Sequence, residues 1–130
     1  MVINVASVGG KFGRRGSILY PAAKAAILQI TKNQAVSWAE HNVRVLAVSP
    51  AWTWSDAVAG LAGTVEQADR IGARLHPRGR IGRGEDVGRV VAFACSSAAD
   101  FMTGIDLPVD GGFSVLGPDQ GLSPAAWLKA

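Results

Sequence analysis

Apolar and polar positions along this chain fall into short blocks separated by glycine, proline and charge. Val2 to Ala6 is a largely β-branched apolar run that gives way to Ser7, Val8, Gly9 and Gly10, the pattern of a buried strand running into a loop. Residues 9–17, rich in Gly, Lys and Arg, predict exposed loop. From Pro21 to about Glu40 no glycine or proline interrupts a stretch dominated by Ala, Leu, Ile and Gln. That stretch predicts a helix with Pro21 in its first turn and an apolar face built on the Ala23, Ile27, Ile30 and Ile27–Thr31 spacings, with Trp38 further along. His41-Asn42 breaks it, and Val43 to Val48 predicts a second buried strand, stopped at Ser49-Pro50 because proline cannot donate to a central ladder. Thr64-Val65-Glu66-Gln67 is a capping-box pattern, so a short helix is expected from Val65 to about Leu75, ended by His76-Pro77. Glu85 and Asp86 place negative charge at the start of a further helix, about Asp86 to Ser96. A last strand, Ile105 to Val109, closes on Asp110-Gly111-Gly112, read as a turn. Residues 115–130 form a C-terminal tail whose Trp127-Leu128 is expected to dock on a neighbouring surface.

Short apolar strands alternating with helices imply an α/β fold: three parallel strands joined by right-handed crossovers, with helices on both faces. The 130 residues suffice for one modest domain. A chain 48% hydrophobic and 18% charged, with 16 scattered glycines, has the profile of a globular protein. No apolar run is long enough to span a membrane, and Met1-Val-Ile-Asn-Val lacks the basic start of a secretory signal. Cys95, the single cysteine, leaves no internal disulfide and fits a reducing compartment, the cytoplasm. It lies among Val90, Val91, Phe93 and Ala94 on a predicted helix and is read as a buried structural thiol. The net charge of +3 sits in loop clusters, Arg14 and Arg15, then Arg78, Arg80 and Arg83. These read as solvated surface, with no nucleic-acid module around them. His41 and His76 have no ligand-spaced neighbours, so no metal site is expected.

The residues with chemical promise are few. Tyr20 and Lys24 stand four apart at the start of the long helix and share one face. A free phenol, with a pKa of about 10, is a poor acid or base at neutral pH. A neighbouring ammonium favours its charged form and makes proton transfer easier. Ser7 lies at the C-terminal end of the first strand, where open parallel sheets bind ligands. A hydroxyl there can donate to a substrate carbonyl while Tyr20 moves the proton. A serine-hydrolase reading of Ser7 finds neither a Gly-x-Ser-x-Gly elbow nor a histidine to serve it.

Five landmarks in order give these residues a context. They are Asn4-Val-Ala-Ser7, Tyr20-Pro-Ala-Ala-Lys24 and Val43-Arg-Val-Leu-Ala-Val-Ser-Pro50, then Gly79-Arg-Ile-Gly-Arg-Gly-Glu-Asp86 and Thr103-Gly-Ile-Asp-Leu-Pro-Val-Asp-Gly-Gly112. Together they resemble the C-terminal half of a short-chain dehydrogenase/reductase, over nearly the whole chain up to about Ser114. The resemblance implies the C-terminal part of a Rossmann-type doubly wound sheet. It also implies an oxidoreductase that moves a hydride between NAD or NADP and an alcohol or ketone. Tyr20 is then the acid/base, Ser7 polarises the carbonyl, and Lys24 assists Tyr20 and bonds the nicotinamide ribose. Pro50, Trp52, Thr53 and Ser55 fall in the loop that wraps the nicotinamide, with Thr53 offering backbone contacts to the carboxamide. Ser7, Val8, Gly9 and Trp54 fall on the substrate side. One of the two tryptophans is equally well read as packing on the sheet. Ala51 replaces the family's usual glycine, a change that shifts the loop if that glycine had positive φ. Residues 55–78 match the variable substrate lid. Helix 21–40 resembles the helix through which family members pair, implying a homodimer or homotetramer.

The family's glycine-rich nucleotide turn has no counterpart here. The echo in Gly79-Arg-Ile-Gly-Arg-Gly84 follows no strand and reads as a connection. The resemblance therefore implies a fragment of a longer protein. Its first strand would be left as an unpaired apolar edge, and a marginally stable or aggregating chain is expected. The rival reading is a catalytically inactive chain that acts only through helix 21–40.

Overall fold

The computed structural model describes residues 1–129. Three parallel strands form one sheet in the order β1 (Val2–Val5), β2 (Val45–Pro50), β3 (Asp106–Val109). The register pairs Asn4 with Ala47 and Ala47 with Asp106, so these three share a face of the sheet. Val45 to Ser49 are completely buried. Because successive strand residues point to opposite faces, both faces of β2 are covered. That is why this segment is a continuous apolar run instead of an alternating one. Pro50 ends the strand, as its missing N–H requires.

The long helix α1 (Leu19–Ser37) packs on β1 and β2. It begins two residues before Pro21, which sits in its first turn, and gives way to a 3-10 turn at Ala39–His41. Asn42 closes that turn in the left-handed conformation, φ 55°, which asparagine tolerates better than most residues. The face α1 turns to the sheet is the predicted one only in part: Thr31 is buried and Ile27 half-buried, whereas Ala23 and Ile30 are exposed and Ala35 is buried. An alanine-rich helix that is mildly apolar all round gives hydrophobic periodicity little to register. A polar contact sets the face instead. Asn4 on β1 donates to the Thr31 hydroxyl and to the Gln34 side-chain oxygen, each at 2.9 Å.

Two helices, α2 (Asp56–Ala62) and α3 (Val65–Gly72), follow β2 and pack together. Ser55 and Thr64 cap them, their hydroxyls accepting from Val58 N–H and Gln67 N–H. α4 (Gly84–Cys95) packs on β2 and β3. Arg44 binds its C-terminal end, donating to the Ala94 carbonyl at 3.0 Å. Cys95 is exposed, contrary to the expectation from sequence. Ala94 is the buried residue of that turn, and the apolar run around it extends past the face that meets the sheet. In the tail a short helix, α5 (Pro124–Trp127), is capped by Ser123, and Trp127 Nε1 donates to the Asp119 carbonyl at 2.8 Å. None of these helices is long and apolar enough to cross a membrane.

Candidate active site

Ser7 leaves the C-terminal end of β1 in extended backbone and caps a 3-10 turn at Val8–Gly10. Its Oγ accepts the Gly9 N–H at 3.0 Å and donates to the Pro50 carbonyl at 3.4 Å. That turn lies against α1. A Cβ on Gly10 would stand 2.7 Å from Ala25 N and Lys24 C, so only glycine allows the approach. A Cβ on Gly9 would meet both Ser7 Oγ and Tyr20 Cε1 at 3.3 Å. Gly9 thus lies between the serine and the tyrosine.

Tyr20 is the second residue of α1, with Lys24 one turn later on the same face. The Lys24 ammonium lies 5.8 Å from the centre of the Tyr20 ring and donates to the Val5 carbonyl at 2.9 Å. That uses one of its three donors. The contact ties α1 to the end of β1 and fixes the cation beside the phenol.

Two adjoining cavities open here, sharing Ser7, Arg14, Tyr20, Ala51 and Trp52. The larger, about 700 Å³, is bounded by Lys24, Pro50, Thr53 and Ser55 and by apolar side chains of α2 and α3. The smaller, about 420 Å³, is bounded by Val8, Gly9, Phe12, Leu75 and Phe113. Trp54 borders neither, in contrast to its predicted place on the substrate side. Its N–H is held by the Gly82 carbonyl at 2.9 Å, where the chain turns into the cap of α2. Trp52 is the tryptophan that faces the cleft.

Gly82 also organises the loop between. Its N–H donates to the Trp52 carbonyl at 2.7 Å, which together with the Trp54 contact forms an isolated parallel bridge to Thr53. In such a bridge the N–H and C=O of the central residue point away from the partner. Among the described residues neither backbone group of Thr53 has a backbone partner. The Thr53 hydroxyl donates back to the Ala51 carbonyl at 3.2 Å. Ala51 is not among the residues with positive φ, so its replacement of glycine introduces no left-handed strain.

Ion pairs around residues 69–86 hold Gly82 in place. Arg83 binds Asp69 at 2.5 Å and Arg80 binds Asp86 at 2.7 Å, while Asp86 also accepts the Arg83 N–H. The Arg80 guanidinium, helped by the Arg83 N–H, holds the Asp86 carboxyl at a pKa of about 2. The Arg83 guanidinium lowers Asp69 in the same way. The segment that superficially echoed a phosphate loop is a structural clamp. Behind the site, Lys11 pairs with Asp106 at 2.6 Å, and Asp106 accepts from the Ser49 hydroxyl at 2.6 Å. Asp110 does form a turn. Burial pushes its pKa up, but bonds from the Ser114 hydroxyl and from the N–H groups of Ser114 and Gly112 outweigh it and leave the pKa lowered.

A family model described as enoyl-(acyl carrier protein) reductase matches residues 1–114. The chain belongs to the short-chain dehydrogenase/reductase family. A cis-4-hydroxycyclohexanecarboxylate dehydrogenase from Sinomonas cyclohexanicum is 39% identical over 115 residues, covering 88% of this chain and 45% of that protein. An A-factor type gamma-butyrolactone 1'-reductase from Streptomyces virginiae is 33% identical over 115 residues, again 88% and 45%. Among solved structures, the ligand-free aldohexose dehydrogenase of Thermoplasma acidophilum superposes with a TM-score of 0.80 at 32% identity, covering 89% of this chain and 48% of that one. A structure of ElxO with NADP bound gives 0.75 at 29% identity, covering 85% and 45%. The chain spans about half the length of the curated relatives it matches.

Phe12, Arg14, Leu75 and Phe113 complete the site; Leu75 falls in the expected lid of residues 55–78, whereas Phe12, Arg14 and Phe113 were not expected there. They reach it from loops far apart in the chain, and no local pattern marks such positions. The local signal for α2 is Ser55-Asp56, a capping residue followed by an acid in the first turn.

Proposed function

We propose that this chain is the catalytic half of an oxidoreductase that transfers a hydride between NAD or NADP and an alcohol or ketone. Tyr20 carries the proton. The observation that carries this reading is that Ser7, Tyr20, Lys24 and the unpaired backbone groups of Thr53 border one continuous cleft. The residues present fit a nicotinamide. Thr53 offers one N–H and one C=O, the complement of a carboxamide, and Lys24 keeps two donors for a ribose. Pro50, Trp52 and Ser55 line the same cavity. When bound, the nicotinamide supplies or accepts the hydride.

The chain's own residues handle the oxygen. Ser7 donates a hydrogen bond to the substrate oxygen, an interaction that strengthens as negative charge develops there. The Tyr20 hydroxyl gives its proton to that oxygen in reduction and takes it back in oxidation. The Lys24 ammonium stabilises the phenolate left behind, and its anchor at Val5 holds it in place for that task. Val8 and Gly9 form the wall beside Ser7. A second copy of the chain is the proposed partner, paired through helix α1, which presents Leu19, Ile30 and Val36 to solvent.

The test is kinetic, with the chain supplied with a nucleotide-binding half. Tyr20→Phe is expected to lower kcat for secondary alcohols by roughly 10²–10⁴ while cofactor binding persists. Ser7→Ala is expected to cost about 10²–10³. Full turnover in Tyr20→Phe would refute the assignment.

A further inference from the structure

The smaller cavity has mostly apolar walls, in which Phe12, Trp52, Leu75 and Phe113 surround the hydroxyls of Ser7 and Tyr20. Its single charged lining residue is Arg14. Neither cavity is lined by a carboxylate. The cations near the cleft differ in what they already hold. Lys24 is tied to the Val5 carbonyl, Lys11 to Asp106, Arg80 to Asp86 and Arg83 to Asp69. Among the described residues Arg14 has no ion pair and no side-chain hydrogen bond. It borders both cavities alongside Tyr20.

We infer that Arg14 selects the substrate by charge, so that the cleft takes a compact alcohol or ketone bearing a carboxylate. The inference rests on the reading of Ser7 and Tyr20 as the reacting end, and adds what holds the other end. A guanidinium presents a planar fork that matches a carboxylate with two parallel hydrogen bonds. The apolar body of the substrate would lie against Trp52 and Phe113. Its hydroxyl or keto oxygen would lie at Ser7 and Tyr20, and its carboxylate at Arg14.

The experiment titrates the protein with cyclohexanecarboxylate and with its uncharged isostere cyclohexanecarboxamide, following tryptophan emission, to which Trp52 in the cavity wall contributes. The carboxylate should bind more tightly. Arg14→Ala should weaken it roughly ten- to a hundredfold, the scale of a charge-assisted pair, and leave the amide unchanged. Arg14→Lys should restore part of the difference, because it keeps the charge and loses the fork. Arg14 is exposed, so its replacement is not expected to disturb folding. Equal binding of the two probes, binding of neither, or an acid-to-amide ratio unchanged in Arg14→Ala would overturn the inference. Turnover separates it from the parent reading. If Tyr20→Phe abolishes oxidation while Arg14→Ala leaves the preference for a hydroxy acid over its methyl ester intact, charge selection fails and the catalytic assignment stands. If Arg14 governs carboxylate binding but Tyr20→Phe leaves turnover unaffected, charge selection stands and the catalytic assignment fails.

Discussion

Gly9 and Gly10 stand side by side in the same short turn, yet the structure asks different things of them. A methyl on Gly10 meets the backbone of α1 at 2.7 Å and has nowhere to go. Gly10→Ala should therefore cost about 1–3 kcal/mol of stability, the usual range for overpacking, read from chemical denaturation. A methyl on Gly9 meets the side chains of Ser7 and Tyr20 at 3.3 Å. Those side chains can yield by a few tenths of an ångström, so Gly9→Ala should leave stability nearly unchanged and lower kcat by separating the two hydroxyls. Equal stability loss in both variants would contradict this division. Ser7, Tyr20 and Lys24 were legible in the sequence because strand end and helical spacing are local properties. Arg14 was read as solvated surface, and nothing local distinguishes it from Arg15. The structure separates them, because only Arg14 borders the cleft.

The strands and most helices were legible as elements, since each is bounded by proline, glycine or a cap. What escaped was orientation. The predicted face of α1 held at Ile27 and Thr31 but not at Ala23 and Ile30, because the buried seam depends on the Asn4, Thr31 and Gln34 contacts, which join residues 27 and 30 positions apart. The loop over the cleft likewise depends on a remote element, the Gly82 bridge and the ion pairs that clamp it. Those pairs make a pH prediction. Asp69, Asp86 and Asp110 all lie below the ordinary carboxylate value of 3.8, Asp86 at about 2. The unfolded chain then binds more protons in acid, so their stabilisation is complete above the ordinary value and is lost as pH falls toward that of Asp86. The melting temperature should hold down to roughly pH 5 and decline between there and about pH 2. Asp86→Asn should remove part of the decline. A melting temperature that is flat or rising through this window would contradict the clamp.

At the scale of the molecule, the sheet has one covered central strand and two edge strands among the described residues. β2 is buried from Val45 to Ser49, whereas the first edge, β1, pairs only with β2 among the described residues, and its Val5 is 55% exposed. The exposed face of α1 adds a second apolar surface, with Val36 at 81%. Pairing through that helix predicts that Val36→Glu shifts the sedimentation coefficient toward the monomer, and unchanged sedimentation would remove α1 from the interface. Fold class and family were both legible in the sequence, because five landmarks occur in order along it. The bipartite cleft was not, since its walls come from elements that meet only when the chain folds.

The most direct test of the central claim follows the transferred atom. The chain, supplied with a nucleotide-binding half, is incubated with a ketone and a reduced nicotinamide cofactor carrying deuterium at both C4 positions, and the product is weighed by mass spectrometry. Deuterium on the carbinol carbon, lost in Tyr20→Phe, is the predicted result. An alcohol without deuterium, or equal labelling by the Tyr20→Phe variant, would contradict it.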